Sequence, residues 1–106
     1  MRAIHLARLD KTRPALLLTR ELVLPYLSRV TVAPITSTVK GLGSEVPVGR
    51  ENGLDVASVV SCDNVTTIPR VNLGRQIGNL RPEQEDELRA ALIYAFGLLG
   101  GDPTRS

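Results

Sequence analysis

The stretch KTRPALLLTR, residues 11–20, decides how the first third of the chain folds. An arginine and a proline stand directly before an apolar run, although proline cannot donate to a β-sheet ladder. The longer segment at residues 13–27 fits a helix with proline in its first turn, but it also fits a buried strand followed by a short turn. Periodicity alone does not separate these two alternatives.

Upstream and downstream of this stretch, short segments are rich in valine, isoleucine and threonine and are separated by Gly, Pro, Asn and Asp. Several short strands followed by one helix are typical of a small barrel or rolled sheet. The longest turn-rich connection, residues 39–55, is of the length that often carries function. Strands are predicted at 2–9, 13–19, 29–36, 45–48, 57–62, 64–68 and 75–80.

The C-terminal part predicts one amphipathic helix over about 82–97, followed by a tail at 100–106. Pro82 suits the first helical position. With 106 residues, the whole chain is expected to form a single domain, residues 1–106. The apolar stripe of the helix, spaced at i, i+3, i+4, i+7 and i+8, comprises Leu88, Ala91, Leu92, Ala95 and Phe96.

The net charge of +2 hides an uneven distribution. Residues 1–81 carry 11 Lys+Arg against 6 Asp+Glu, whereas residues 82–106 carry 2 against 5. Four of these five acidic residues belong to PEQEDE at 82–87, at the start of the predicted helix, where they favourably face its dipole. The body is therefore basic, and 11 of its 13 cations across the chain are arginine, which suits forked contacts to phosphate or carboxylate.

Several classes of protein are excluded or disfavoured by what the sequence lacks. The single cysteine, Cys62, excludes an intramolecular disulfide and a multi-cysteine zinc site. The first 11 residues do not resemble a signal peptide, and no apolar run of the length needed to cross a membrane is present. The chain is expected to be soluble and cytoplasmic, with no membrane contact.

The inventory of reactive side chains is small. His5 is the only histidine and is expected to lie on a strand, while Cys62 is expected to be a small core residue. The sequence contains no His/Cys cluster with metal-ligand spacing, no Gly-x-Ser-x-Gly and no P-loop, so no metal or cofactor is expected. Arginine, threonine and serine permit a reaction whose nucleophile comes from the substrate, as in RNA, where the 2′-hydroxyl attacks the adjacent phosphorus.

Four pieces occur in order along most of the chain: the Arg-Pro before an apolar run, PITST at 34–38, CDNVTT at 62–67 and GRQIGNL at 74–80. Each is common alone, but the ordered set resembles the MazF/PemK toxins of bacterial toxin–antitoxin pairs. The resemblance implies a mainly β fold with a C-terminal helix, a small SH3-like β-barrel of the CcdB/PemK type, and a homodimer. It also implies a cytoplasmic toxin that causes growth arrest.

The activity implied by the resemblance is metal-independent cleavage of single-stranded mRNA at a short sequence. The products would carry a 2′,3′-cyclic phosphate and a 5′-hydroxyl. A cognate antitoxin with an acidic, disordered tail would neutralise the toxin by competing with RNA. No cofactor takes part in such a reaction.

The family's catalytic arginine falls on Arg13 and its catalytic threonine on Thr36. The resemblance assigns Arg13 to the scissile phosphate and Thr36 to a non-bridging oxygen, with Ser37 as a candidate helper. Asp63 and Asn64 of the CDNVTT piece are expected to satisfy a turn. Candidate RNA contacts are Lys11, Arg20, Thr38 and Lys40. The three cations are also explained as solvated surface residues, and Thr38 as an ordinary strand residue.

Two departures from the family pattern are present. The chain opens with MRAIHLA, where relatives carry Arg-Gly-acid-Ile and an aromatic residue, and only a short connection precedes Arg13. Neither departure affects Arg13 or Thr36. Two alternative functions stay open: a gyrase poison of the CcdB type, which shares the barrel, and a non-catalytic RNA-binding module. The final residues GGDPTRS lack a Trp-Gly-Ile-like ending that would favour the gyrase poison.

Overall fold

A computed structural model describes residues 2–98 as seven strands, four short 3-10 turns and one helix. Each predicted strand overlaps an observed one, and the strands predicted at 29–36 and 45–48 have the predicted bounds. The strands are β1 (Ala3–Arg8), β2 (Thr12–Leu17), β3 (Arg29–Thr36), β4 (Glu45–Val48), β5 (Ser58–Ser61), β6 (Thr66–Pro69) and β7 (Leu73–Asn79). The helix is α1 (Pro82–Phe96), and the 3-10 turns are Glu21–Tyr26, Arg50–Asn52, Cys62–Asn64 and Arg70–Asn72.

The strands pair antiparallel in the order β4-β5-β3-β2-β1-β7. The long strand β3 pairs with β2 along one edge, and its other edge is shared by β6 at Arg29–Val32 and β5 at Ile35–Thr36. Within residues 2–98 no ladder joins β7 to β4 or β6, so the sheet is not closed. The mainly β fold with a C-terminal helix is confirmed, whereas the closed SH3-like barrel is not.

The ambiguous segment at 13–27 folds as a strand followed by a turn. β2 lies between β1 and β3, with Leu6 opposite Pro14 and Leu16 opposite Ala33. The apolar residues of β2 are buried on both faces of the sheet, which explains their uninterrupted run. The helical alternative applies only to the second half of the segment, as the 3-10 turn Glu21–Tyr26.

Two hydrophobic clusters lie on opposite faces of the sheet. Successive side chains of a strand point to opposite faces, and Leu16 belongs to one cluster while its neighbours Ala15 and Leu17 belong to the other. Full burial of a side chain such as Leu16 stabilises the fold by about 1.5–3 kcal/mol. The larger cluster comprises Ile4, Leu16, Ala33, Ile35, Val46, Val48, Leu54, Val60, Cys62, Leu80, Leu88 and Ala91. The smaller comprises Ala7, Ala15, Leu17, Val30, Val32 and Ile68.

Helix α1 packs on the larger cluster through the predicted apolar stripe, with one exception. Leu88 and Ala91 are buried, whereas Phe96 is 57% exposed because the helix ends there and Gly97 turns the chain with φ +61°. The predicted tail at 100–106 lies outside the described residues. Neither α1 nor any other helix in the described part of the chain is long and apolar enough to cross a membrane.

The turn after Arg50–Asn52 crosses β7 at backbone contact distance. A Cβ atom placed on Gly78 would lie 1.7 Å from the carbonyl oxygen of Asn52, and one on Gly53 would lie 2.2 Å from that of Ile77. Gly53 also has φ +90°. Only glycine at both positions allows this crossing, which carries the chain from β4 to β5.

Candidate active site

The register of β2 and β3 brings Arg13 and Thr36 together. Their pairing ends at Ala15 opposite Pro34, and the same register continued by two residues sets Arg13 opposite Thr36. Opposite residues of an antiparallel pair point to the same face of the sheet. The two side chains predicted to be catalytic therefore share one face at the end of the ladder.

Two adjoining clefts share Arg13, Thr36 and Thr38 as lining residues. The first has a volume of about 630 Å³ and the second about 430 Å³. The first is also lined by Asp10, Pro34, Lys40, Leu42, Glu45, Ser61, Asp63 and Asn64. The second is also lined by Lys11, Pro14, Ile35, Ser37, Leu54, Asp55, Val56 and Ser58.

The guanidinium of Arg13 makes one hydrogen bond and leaves other N–H donors unpaired. Its Nη2 donates to Oδ2 of Asp10 at 3.0 Å, and the side chain is 26% exposed. Its Nε is buried and has no hydrogen-bond partner within residues 2–98. A guanidinium carries five N–H donors, so most of the fork is available to a phosphate in the cleft.

Thr36 is oriented to donate. Its Oγ1 accepts a hydrogen bond from the backbone N–H of Thr38 at 3.1 Å. Since that bond uses a lone pair of the hydroxyl, the hydroxyl hydrogen remains available for another acceptor. Arg13 and Thr36 together offer N–H and O–H donors to one anion.

Three carboxylates in the first cleft are already engaged by donors. Asp10 accepts from Arg13, and Asp63 accepts from Oγ of Ser44 at 2.5 Å. Glu45 accepts from three consecutive backbone N–H groups. Sequence reasoning missed these acidic residues; the one available signal was the three-residue spacing of Asp10 and Arg13 across a tight turn.

The structure brings most of the predicted site residues together. Lys11 and Ser37 line the second cleft, Lys40 lines the first, and Thr38 lines both. Arg20 instead lies at a different cleft, with Arg2, Glu21 and Glu85. Its predicted contact with RNA is not supported by proximity to Arg13.

The CDNVTT piece and the single histidine complete the comparison with the sequence. Cys62 is buried, and burial together with the negative charge of Asp63 raises the pKa of its thiol to about 11, so it stays protonated at neutral pH. Asp63 and Asn64 line the first cleft as well as forming a turn. His5 lies on β1, where Nδ1 is 2.9 Å from the carbonyl oxygen of Gly74, and it lines neither cleft.

No group of three or more His, Cys, Asp or Glu side chains within the described range, 2–98, is arranged to hold a metal ion. The cationic side chains that line the two clefts are those of Lys11, Arg13 and Lys40, and the hydroxyl groups of Thr36, Ser37 and Thr38 line them as well.

Comparison with known proteins finds similar sequences and structures along nearly the whole chain. The family described as PemK-like, MazF-like toxin of type II toxin–antitoxin systems matches residues 5–96. The endoribonuclease MazF3 of Mycobacterium tuberculosis is 61% identical over 98 residues, which are 92% of this chain and 95% of that protein.

Solved structures resemble the fold over nearly its full length. The Mycobacterium tuberculosis toxin MazF-mt6 is 60% identical with a TM-score of 0.89, covering 91% of this chain and 97% of that one. An endoribonuclease from a mycobacterial species, in complex with its cognate antitoxin, is 22% identical with a TM-score of 0.81, covering 93% and 95%, and shows the shared fold.

Proposed function

Because the chain belongs to the PemK-like, MazF-like toxins of type II toxin–antitoxin systems, we propose that it is an endoribonuclease that cleaves single-stranded mRNA at a short sequence. The observation that carries the proposal is the placement of Arg13 beside Thr36 at the end of the β2–β3 ladder. Both residues line both clefts, so one phosphate can contact the two donors.

The reaction is a transesterification within the RNA. The 2′-hydroxyl oxygen attacks the adjacent phosphorus, a pentavalent phosphorane forms, and the bond to the 5′ oxygen breaks. The products are a 2′,3′-cyclic phosphate and a 5′-hydroxyl, with no metal required. Because the phosphorane carries more negative charge than the substrate, donors aimed at its oxygens lower the barrier.

Arg13 and Thr36 have distinct parts in this reaction. Arg13 directs its unpaired N–H donors at the phosphate and stabilises the added charge, since a guanidinium acts by its charge and its fork of donors rather than by proton transfer. Thr36 donates its hydroxyl hydrogen to a non-bridging oxygen, and Ser37 is the candidate helper. Lys11, Thr38 and Lys40 contact the neighbouring phosphates or riboses.

Cleavage of a long single-stranded RNA in excess EDTA tests the proposal. We expect discrete fragments with 2′,3′-cyclic phosphate and 5′-hydroxyl ends, and an unchanged rate after the chelator is added. Fragments that appear only with a divalent cation would contradict the metal-free reaction. A folded protein that binds RNA and leaves it intact would favour the non-catalytic RNA-binding module, and inhibition of gyrase without RNA cleavage would favour a CcdB-type poison.

The proposed inhibitor is a cognate antitoxin with an acidic, disordered tail, as the family description implies a paired antitoxin. Lys11, Arg13 and Lys40 at the clefts are the cations that such a tail would contact. Its carboxylates would replace the RNA phosphates, and the competition should weaken as salt is raised.

The proposed homodimer is supported by an exposed apolar surface formed by two neighbouring 3-10 turns. Arg70 donates from Nη1 to the carbonyl oxygen of Leu24 at 3.0 Å, which joins the turn Arg70–Asn72 to the turn Glu21–Tyr26. Leu22, Tyr26 and Val71 on these turns are 84%, 85% and 90% exposed. Large apolar side chains grouped in this way mark an interaction surface.

Replacing Tyr26 with arginine is expected to weaken the homodimer by at least about 30-fold, because an exposed aromatic side chain that the dimer would bury becomes a charge. Light scattering across a dilution series measures the dissociation constant. Tyr94→Arg is the matched control, since Tyr94 is 66% exposed and belongs to α1 rather than to either turn. Equal dissociation constants for wild type and Tyr26→Arg would contradict this dimer surface.

A further inference from the structure

Glu45 is the point to which residues 40–42 are attached. Its own backbone is fixed as the first residue of β4, opposite Ser61. Its carboxylate accepts hydrogen bonds from the backbone N–H groups of Lys40 at 3.2 Å, Gly41 at 2.8 Å and Leu42 at 3.1 Å. Its backbone N–H donates to the carbonyl oxygen of Leu42 at 3.1 Å.

This arrangement is a backbone nest in which consecutive N–H groups converge on one anion. Gly41 has φ +75°, the left-handed conformation that lets the three groups point the same way. All the hydrogen bonds that residues 40–42 make within residues 2–98 go to Glu45. The three residues are exposed, so apolar burial does not hold them in place.

The attached segment forms part of the first cleft. Lys40 and Leu42 line the same cleft as Arg13 and Thr36. Proteins select single-stranded RNA sequences with pockets and backbone groups that contact the splayed bases. Such selection requires a segment with one fixed geometry, because mobility lowers the fraction of protein competent to bind.

We propose that Glu45 is a positioning residue that fixes segment 40–42 as the part of the cleft that contacts the nucleotide beside the scissile phosphate, and so sets sequence preference. The inference rests on the proposed function, since it concerns the same RNA site. Glu45 itself does not contact the reacting atoms in this proposal.

Charge repulsion and positioning predict opposite changes in RNA affinity when Glu45 is removed. A carboxylate in a cleft that binds phosphate repels its ligand, so its removal would tighten RNA binding. If Glu45 positions the segment, its removal weakens binding even though a repulsive charge is lost. The sign of the affinity change therefore separates positioning from a bystander charge.

The test uses Glu45→Ala and Glu45→Gln in the full chain, with two readouts. The first is the affinity for a fluorescent single-stranded RNA that carries the cleaved sequence but lacks the 2′-hydroxyl at the scissile position. The second is the spectrum of sites cut in a random-sequence RNA. If segment 40–42 adopts its binding geometry in only about one molecule in ten of Glu45→Ala, the dissociation constant for this RNA rises about tenfold. The variant should also cut a wider range of sequences.

Glu45→Gln keeps an acceptor oxygen while removing the charge, so we expect an affinity between those of wild type and Glu45→Ala. Glu85→Ala is the matched control, because it removes one carboxylate at the cleft formed with Arg2 and Arg20. We expect it to retain the wild-type affinity and cleavage sites. Thermal unfolding of each variant identifies loss of fold, and Glu45→Gln carries the test if Glu45→Ala does not fold.

Unchanged or tighter binding by folded Glu45→Ala, with the wild-type cleavage sites, would overturn the proposal. The proposed function can fail separately: wild-type protein that binds the single-stranded RNA without cutting its ribonucleotide counterpart would refute catalysis and leave the affinity comparison decisive for Glu45. A structural role alone would lower the thermal stability of Glu45→Ala without changing which sites are cut, and that result also overturns the proposal.

Discussion

Replacing Arg13 with alanine is expected to lower the rate constant of RNA cleavage by about 10²–10³, as loss of one transition-state donor does elsewhere. Arg13 supplies the only guanidinium lining the two clefts within residues 2–98. Its truncation removes the guanidinium N–H donors from both clefts and leaves the phosphorane charge unbalanced. The measurement is a single-turnover rate at saturating RNA in the presence of EDTA.

The fold should survive this substitution. Arg13 makes one ion pair, with Asp10, whose side chain is 73% exposed, and such a pair contributes about 1 kcal/mol at most. Arg89→Ala is the matched control, because Arg89 makes a similar pair with Asp86 on α1, remote in sequence from the clefts. Thermal unfolding should be nearly the same for both variants, while only Arg13→Ala loses activity.

Two further substitutions resolve how the site acts. Arg13→Lys keeps the charge but not the planar fork, so it should recover only part of the rate. Thr36→Val removes a hydroxyl at nearly constant volume and should slow cleavage by about 10–100-fold, the effect of losing a hydrogen bond to a charged group. Wild-type cleavage by Arg13→Ala would refute the assignment of this residue while leaving the fold untouched.

Replacing Gly78 with alanine is expected to destabilise the protein by about 3 kcal/mol or more, because the added methyl group overlaps backbone atoms. The new Cβ would lie 1.7 Å from the carbonyl oxygen of Asn52. Asn52 cannot easily move away, since its side chain accepts from the N–H of Gly49 and donates to Oε1 of Gln84. Moving the turn Arg50–Asn52 away from β7 would break this buried network.

Urea unfolding measures the free-energy change, and the melting temperature should fall by more than about 10 °C for a domain of this size. Gly49→Ala is the control, because the nearest atom to its added Cβ is 3.7 Å away and its backbone is extended. That variant should stay within about 1 kcal/mol of wild type. A Gly78→Ala protein as stable as Gly49→Ala would show that the backbone crossing relaxes freely.

Strands such as β3 and β5 were predictable because they are short β-branched runs, whereas β2 stayed ambiguous because its alanine and leucines also fit a helix. The helix was predictable because its apolar spacing is regular. That Arg13 and Thr36 line the same clefts was predictable only from the resemblance, since the sequence alone does not state strand register. Phe96 was wrongly expected to be buried, because the helix ends at that residue. Closure of the sheet depends on strand curvature and is not encoded in a local pattern.

The acidic residues of the site illustrate a second limit. Glu45 is an ordinary strand residue in the sequence, and its role becomes visible only when three backbone N–H groups are seen to converge on it. Asp63 was expected to serve a turn, and its place at the cleft depends on how β5 pairs with β3 and β4. Contacts that a side chain makes with backbone groups leave no residue-level signature, because every residue type carries those groups.

The end of the β2–β3 ladder also has a kinetic consequence. The strands stop pairing at Ala15 and Pro34, and Pro14, which the same register sets opposite Ile35, has no N–H with which to add the next rung toward Arg13 and Thr36. The end of the ladder is thus fixed by the covalent structure of the chain and does not depend on the ligand. A preformed opening requires no slow gating step, so encounter with RNA should be limited by diffusion and charge, and affinity changes should appear mainly in the dissociation rate.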